Sequence, residues 1–137
     1  MLQAALHSGA AHRKSVFEAF ARRLPDGRRY GIVGGTGRLL EGIADFRFGN
    51  TEIDFLRRTN VVNEETLDYL AGFSFSGDIW GYAEGEACFP YAPLLRVEAS
   101  FAEAVLLETL LLSILNHDSA IAAAASRMTW AAGGRPC

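Results

Sequence analysis

Hydrophobic and polar positions change rhythm repeatedly along this chain, and each rhythm predicts an element. Met1–Gly9 reads as a helix with Gly9 as its stop. The next apolar positions, Val16, Phe17, Phe20 and Leu24, fall among β-favouring residues and predict a strand over 15–24. Pro25-Asp26-Gly27 is a turn, and the short apolar run Tyr30–Val33 predicts a strand over 30–33. Gly34-Gly35-Thr36-Gly37 then leads into helical spacing over Arg38–Asp45 (Leu39, Leu40, Ile43). Two more short helices are expected, Thr51–Arg57 capped by Asn50 or Thr51, and Asn63–Ala71 capped by Asn63 and closed by Gly72. Residues 78–84 alternate through Ile79, Gly81 and Ala83 as a strand, with 86–89 as its expected partner. Pro90 and Pro93 bracket a turn before a third strand over 94–98.

Beyond Ser100, a capping residue, the pattern becomes helical and apolar nearly all round. Phe101, Val105, Leu106, Leu110, Leu111, Leu112 and Leu115 leave little polar face, which predicts a helix buried on several sides. His117-Asp118-Ser119 are expected to end it and cap a second helix, Ala120–Ala132, in which Ala122–Ala125 favours helix. The chain thus divides into an α+β domain over 1–100 and helices over 101–137, an α/β class overall. No internal repeat or low-complexity linker is present.

Composition narrows the picture. Half the 137 residues are hydrophobic and 21% are charged, as in a soluble domain with a core of its own. A net charge of −3 gives no basic excess for nucleic acid. Cys88 and Cys137, far apart, form neither a disulfide framework nor a metal knuckle, and a reducing cytoplasmic setting fits them. The run Val105–Leu115, interrupted by Glu108 and Ser113, is too short to cross a bilayer, and Met1–Leu6 is not a signal peptide. No capping residue precedes Met1, and Gly133-Gly134-Arg135-Pro136-Cys137 reads as a turn leading onward. A chain cut at both ends is therefore expected.

Candidate chemistry is sparse. Gly34-Gly35-Thr36-Gly37 sits where helix amides can bind phosphate, but its spacing matches neither the dinucleotide fingerprint nor a P-loop, which favours a tight turn. Arg22-Arg23 and Arg28-Arg29 flank the Pro25–Gly27 turn, and they form either an anion grip or a solvated hairpin surface. On a strand Arg22 and Arg23 would face opposite ways. His117-Asp118-Ser119 invites a catalytic triad, but triad members converge from different elements, and capping is the better account. Glu84, Glu86 and Glu98 read as exposed strand-end carboxylates. His7 and His12 are expected in solvent, and no metal-ligand spacing occurs.

The order of segments carries more than any one of them. Phe20-Ala21-Arg22-Arg23-Leu24-Pro25, Gly27-Arg28-Arg29-Tyr30 and Gly34-Gly35-Thr36 resemble the start of the nicotinate phosphoribosyltransferases. Phe75-Ser76-Gly77-Asp78, Glu84-Gly85-Glu86, Phe89-Pro90 and Pro93–Glu98 resemble the family's next block. Ala102-Glu103-Ala104, Leu107-Glu108-Thr109, Leu115-Asn116, Ser126-Arg127-Met128 and Ala132–Pro136 resemble the one after.

The resemblance implies the N-terminal α+β domain and first helices of an irregular α/β barrel that is mostly absent from this chain. The family's opening Asp-x-Tyr-x-x-Thr-Met motif would survive only as Met1. The intact enzyme would join nicotinate to phosphoribosyl pyrophosphate for NAD salvage, coupled to ATP hydrolysis through a phosphohistidine of the barrel, with Mg²⁺ offsetting phosphate charge. It would be a ligase-like glycosyltransferase, a phosphoprotein and a cytoplasmic homodimer with active sites built from both subunits. No catalytic residue or metal ligand would lie in this chain, which alone would be inactive and would bind neither ATP nor Mg²⁺. Arg22 matches the family arginine near the phosphate site, contributed across the dimer, with Arg23 as its register alternative.

Quinolinate phosphoribosyltransferase is the alternative enzyme. If Ser119-Ala120-Ile121-Ala122 is aligned with that enzyme's Ser-Gly-Ile-Ala, Glu108 matches its glutamate, but Thr109 stands where an arginine grips the second carboxylate. A non-enzymatic interaction domain, dimerising through Val105–Leu115, is the remaining alternative.

Overall fold

One long helix lies across a small antiparallel sheet, and four short helices fill the space beside them. The computed structural model describes residues 1–136. Its elements run α1 (Leu2–His7), a 3₁₀ turn (Ala10–His12), β1 (Lys14–Phe20), β2 (Gly31–Ile32), α2 (Thr36–Asp45), α3 (Asn50–Thr59), α4 (Glu64–Ala71), β3 (Asp78–Gly81), β4 (Ala87–Cys88), β5 (Pro93–Ser100) and α5 (Phe101–Ala132). This is an α+β architecture, as the pattern predicts. Cys137 and its part in the expected C-terminal turn lie outside the described residues.

Strand β5 is the centre of the larger sheet, with order β1-β5-β3 and both pairings antiparallel. Its register sorts the two faces. Phe17, Val97 and Ile79 share one row and Ala19 and Leu95 another, and these point inward; Glu18, Arg96 and Trp80 form an outward row. Under the sheet, Leu107, Leu111, Ile114 and Leu115 of α5 meet Leu39 and Ile43 of α2 and Phe73. Leu39, Leu95 and Leu107 lose essentially all solvent contact, and each contributes roughly 2 kcal/mol by area. A second cluster joins Leu2 and Ala5 of α1 to Ile53, Leu67, Leu70 and Ala102.

Local signals explain several boundaries. Asn63 caps α4 by accepting from Thr66 N–H, and Gly72 ends it. Ser100 and Glu103 form a capping box at the head of α5. The cap of α3 is Gly49 rather than Asn50 or Thr51: Glu52 reaches back 2.8 Å to the Gly49 N–H, which shifts the first helical residue to Asn50.

Five strand expectations change. β1 stops at Phe20 instead of reaching Leu24, so Arg22 and Arg23 do not sit on a strand. The strand expected over 30–33 shrinks to Gly31–Ile32, and that over 78–84 to Asp78–Gly81. The segment expected over 86–89 forms β4 but pairs with β2, not β3, because Tyr82–Glu86 folds back across the head of α2. The third strand, expected over 94–98, runs through Pro93–Ser100 and pairs with both neighbours.

Most consequentially, no break occurs at His117–Ser119: α5 continues to Ala132, where Gly133 closes it in a left-handed conformation. Asp118 and Ser119 spend their polar atoms on a neighbouring loop instead of on a new helix start. With no Gly or Pro between, nothing interrupts the backbone ladder. A helix of this length and composition is long and apolar enough to cross a membrane. Here its first half is core. Its second half exposes Ile121, Met128 and Trp130, so burial on several sides holds only for the first half.

Candidate functional site

The Gly34–Gly37 loop packs directly on the middle of α5, and two glycines are required for that approach. A Cβ on Gly34 would stand 2.8 Å from the Asp118 carbonyl oxygen. One on Gly35 would stand 2.8 Å from Asp118 Oδ2, and Gly35 also has φ +91°. The loop is held from both sides. Ser119 Oγ accepts from Gly34 N–H at 3.1 Å. Arg38, on the first turn of α2, donates to both Asp118 oxygens, Nε at 2.9 Å and Nη2 at 2.6 Å.

The helix amides that the Gly-rich run predicts as a possible phosphate cradle already carry an anion. Glu84 accepts from Gly35 N–H at 3.1 Å and from Gly37 N–H at 3.0 Å. The tight-turn account therefore stands, with the dipole of α2 answered by a carboxylate of the same chain. Glu84 itself is not the idle strand-end carboxylate expected. Glu98 pairs with Arg96 at 2.6 Å on the outer sheet face.

Asp118 is also shared with His117, whose Nδ1 lies 2.8 Å from Oδ1. The Arg38 hydrogen bond, followed by that of His117, holds the Asp118 carboxyl below its usual range. Ser119 faces Gly34 and does not complete a triad, so the capping account and the triad are both set aside in favour of a helix-to-loop clamp. His7 and His12 are exposed, as expected. Cys88 is buried against Gly31, and burial pushes its thiol up, away from a reactive thiolate.

The arginines lie on an irregular loop between β1 and β2. Pro25 accepts from Arg28 N–H at 3.0 Å, which closes the expected turn. The side chains of Arg22, Arg23, Arg28 and Arg29 have no carboxylate partner among the described residues. Four unneutralised guanidiniums within one turn make a local positive patch on a chain of net negative charge. The patch borders a cleft of about 560 Å³ between this loop and α5, lined in part by Arg23, Arg28, Tyr30, Leu24 and Asn116. Arg22 is exposed outside that lining.

One residue that pattern reading does not single out holds this loop. Arg127 on α5 donates through Nη2 to the Tyr30 carbonyl at 2.6 Å and through Nη1 to the Ala123 carbonyl, and its guanidinium lies 4.8 Å from the Tyr30 ring centre. Nothing local to Arg127 announces the contact, because its partner is remote in sequence.

Comparison with known proteins follows the same lines. A sequence model described as the nicotinate phosphoribosyltransferase (NAPRTase) N-terminal domain matches residues 1–116. A nicotinate phosphoribosyltransferase of Mycobacterium tuberculosis is 60% identical over 136 residues, covering 99% of this chain and 30% of the relative. That of Bacillus subtilis is 35% identical over 120 residues, covering 88% of this chain and 24% of the relative. The crystal structure of human nicotinic acid phosphoribosyltransferase superposes with a TM-score of 0.90 at 26% identity, over 99% of this chain and 28% of that one. The chain thus spans about a quarter to a third of the length of these curated relatives.

Proposed function

This chain belongs to the nicotinate phosphoribosyltransferase family, and from that premise we propose that it is the N-terminal domain of an enzyme joining nicotinate to phosphoribosyl pyrophosphate. The products would be nicotinate mononucleotide and pyrophosphate, a step of NAD salvage, with ATP hydrolysis coupled to it. The protein would work in the cytoplasm as a homodimer. The observation that carries this proposal is the match of the N-terminal-domain model to residues 1–116.

The domain's part in the reaction would be to bind and orient, not to perform the chemistry. Mg²⁺ and ATP are assigned to the rest of the protein, and no step here runs through them. Arg22, exposed and without a counter-ion among the described residues, is the residue proposed to reach a phosphate of the substrate in the neighbouring subunit. Arg23 is the alternative, although it lines the cleft of its own chain.

Both other readings lose support. The relatives named above are nicotinate enzymes, not quinolinate ones. A dimer surface on Val105–Leu115 conflicts with the burial of Leu107, Leu111 and Leu115 in the chain's own core.

The test is product formation by the intact protein supplied with ATP, Mg²⁺ and phosphoribosyl pyrophosphate. Nicotinate mononucleotide is expected from nicotinate, and none from quinolinate. Failure to convert nicotinate, or preference for quinolinate, would overturn the proposal.

A further inference from the structure

Residues 21–30 are tied to the rest of the chain at both ends. At the near end Tyr91 N–H donates to the Ala21 carbonyl at 2.8 Å. At the far end, the Gly31–Cys88 pairing begins the two-residue strand β2. Between them, the turn's four arginines make no ion pair with a described carboxylate. The contact that fixes the far root is the one from Arg127: a hydrogen bond donated to the Tyr30 carbonyl and a cation lying on the Tyr30 ring, with a second hydrogen bond to Ala123 bracing the guanidinium on its own helix. Arg127 stands on the distal part of α5, well beyond the segment packed under the sheet.

We infer that Arg127 is a positioning residue that sets where the arginine turn stands. This rests on the turn being the phosphate-binding element proposed above. The planar guanidinium suits the task, because one fork spans the helix carbonyl of Ala123 and the loop carbonyl of Tyr30 while its face lies on the ring. A lysine keeps the charge and the ring contact but loses the fork. The position of the cations then depends on the distal part of α5, so a shift of that helix end would move the phosphate grip with it.

The test uses steady-state kinetics of the intact enzyme. Arg127→Ala is expected to raise KM for phosphoribosyl pyrophosphate about tenfold, the order of one lost charge-assisted hydrogen bond. kcat and KM for nicotinate should stay near wild type. Arg127→Lys should fall between, with a rise of about threefold, and it replaces the alanine variant if that one does not fold. Arg22→Ala and Arg23→Ala are measured alongside, and the one that raises the same KM should add little in an Arg127→Ala background.

Four outcomes overturn the inference alone, and a fifth overturns it together with the phosphate role of the turn. One is an unchanged KM for phosphoribosyl pyrophosphate in the Arg127 variants while an arginine variant raises it, which leaves the phosphate-binding proposal standing. A second is a parallel loss in kcat and both KM values, the mark of general misfolding. A third is a multiplicative double variant. The fourth is a rise at Arg127 with Arg22 and Arg23 both silent, since the effect would not run through the turn. If every variant is silent, the inference and the phosphate role of the turn fall together.

Discussion

Glu103 illustrates how much one side chain can tie together in this fold. Its carboxylate accepts from Ser100 N–H at 3.0 Å to close the capping box, and from Ser76 N–H and Oγ at 2.8 Å each. Burial acts to raise its pKa, but the hydrogen bonds from Ser100 and Ser76 outweigh burial and hold it below the usual carboxylate value. A depressed folded pKa means the stabilisation is complete above the unfolded value, about 4.3, and is lost as pH falls through the folded one. Glu103→Ala is expected to cost about 2 kcal/mol at neutral pH, since it strands two backbone donors. In denaturant melts across pH, the gap between wild type and variant should close on acidification; a gap that widens below pH ~4 contradicts the assignment.

Gly35 is the second single-residue test. Gly35→Ala meets both a positive φ and a contact inside van der Waals range with Asp118 and Ile114. A loss of roughly 2–4 kcal/mol is expected in the same melts, and a change under ~0.5 kcal/mol would show that the loop does not sit on α5 as described.

At the scale of elements, α5 and the sheet show what was legible in the sequence and what was not. The caps at Asn63 and Ser100 could be read directly, because a cap is a local arrangement of a side chain and an N–H three residues on. The helix core of α2 followed from apolar spacing, and α4 from its Asn63 cap and its closing Gly72. Asp118 and Ser119 also looked like caps, but their partners Arg38 and Gly34 lie far away in sequence, and residue type alone does not separate the two uses. The pairing of β4 with β2 was hidden for the same reason: short strands specify little register, and the long-range fold-back at Glu84 decides the partner. For the site, the turn at Pro25–Gly27 and its arginines were legible as a cluster, whereas Arg127 was quoted only within a segment of family likeness. A proline scan distinguishes one helix from two. Ala120→Pro would be tolerated at the first turn of a separate helix, but within a continuous α5 it should cost about 3 kcal/mol or more. Far-UV circular dichroism and a denaturant midpoint measure it, and a midpoint unchanged from wild type would restore the two-helix description.

For the molecule as a whole, the arrangement fits the binding and orienting role proposed for it. Its core is formed from its own residues, its helix-terminus anion site is filled by its own Glu84, and its one concentrated charge without a described counter-ion is the arginine turn. Ile121, Met128 and Trp130 lie exposed along the distal half of α5, on the same helix that anchors that turn. The most direct check of the central claim is turnover of nicotinate by residues 1–137 alone, with phosphoribosyl pyrophosphate, ATP and Mg²⁺ supplied and the intact enzyme run in parallel. The account predicts nicotinate mononucleotide from the intact enzyme and none above background from the 137-residue chain. Sustained product formation by the chain alone would contradict it.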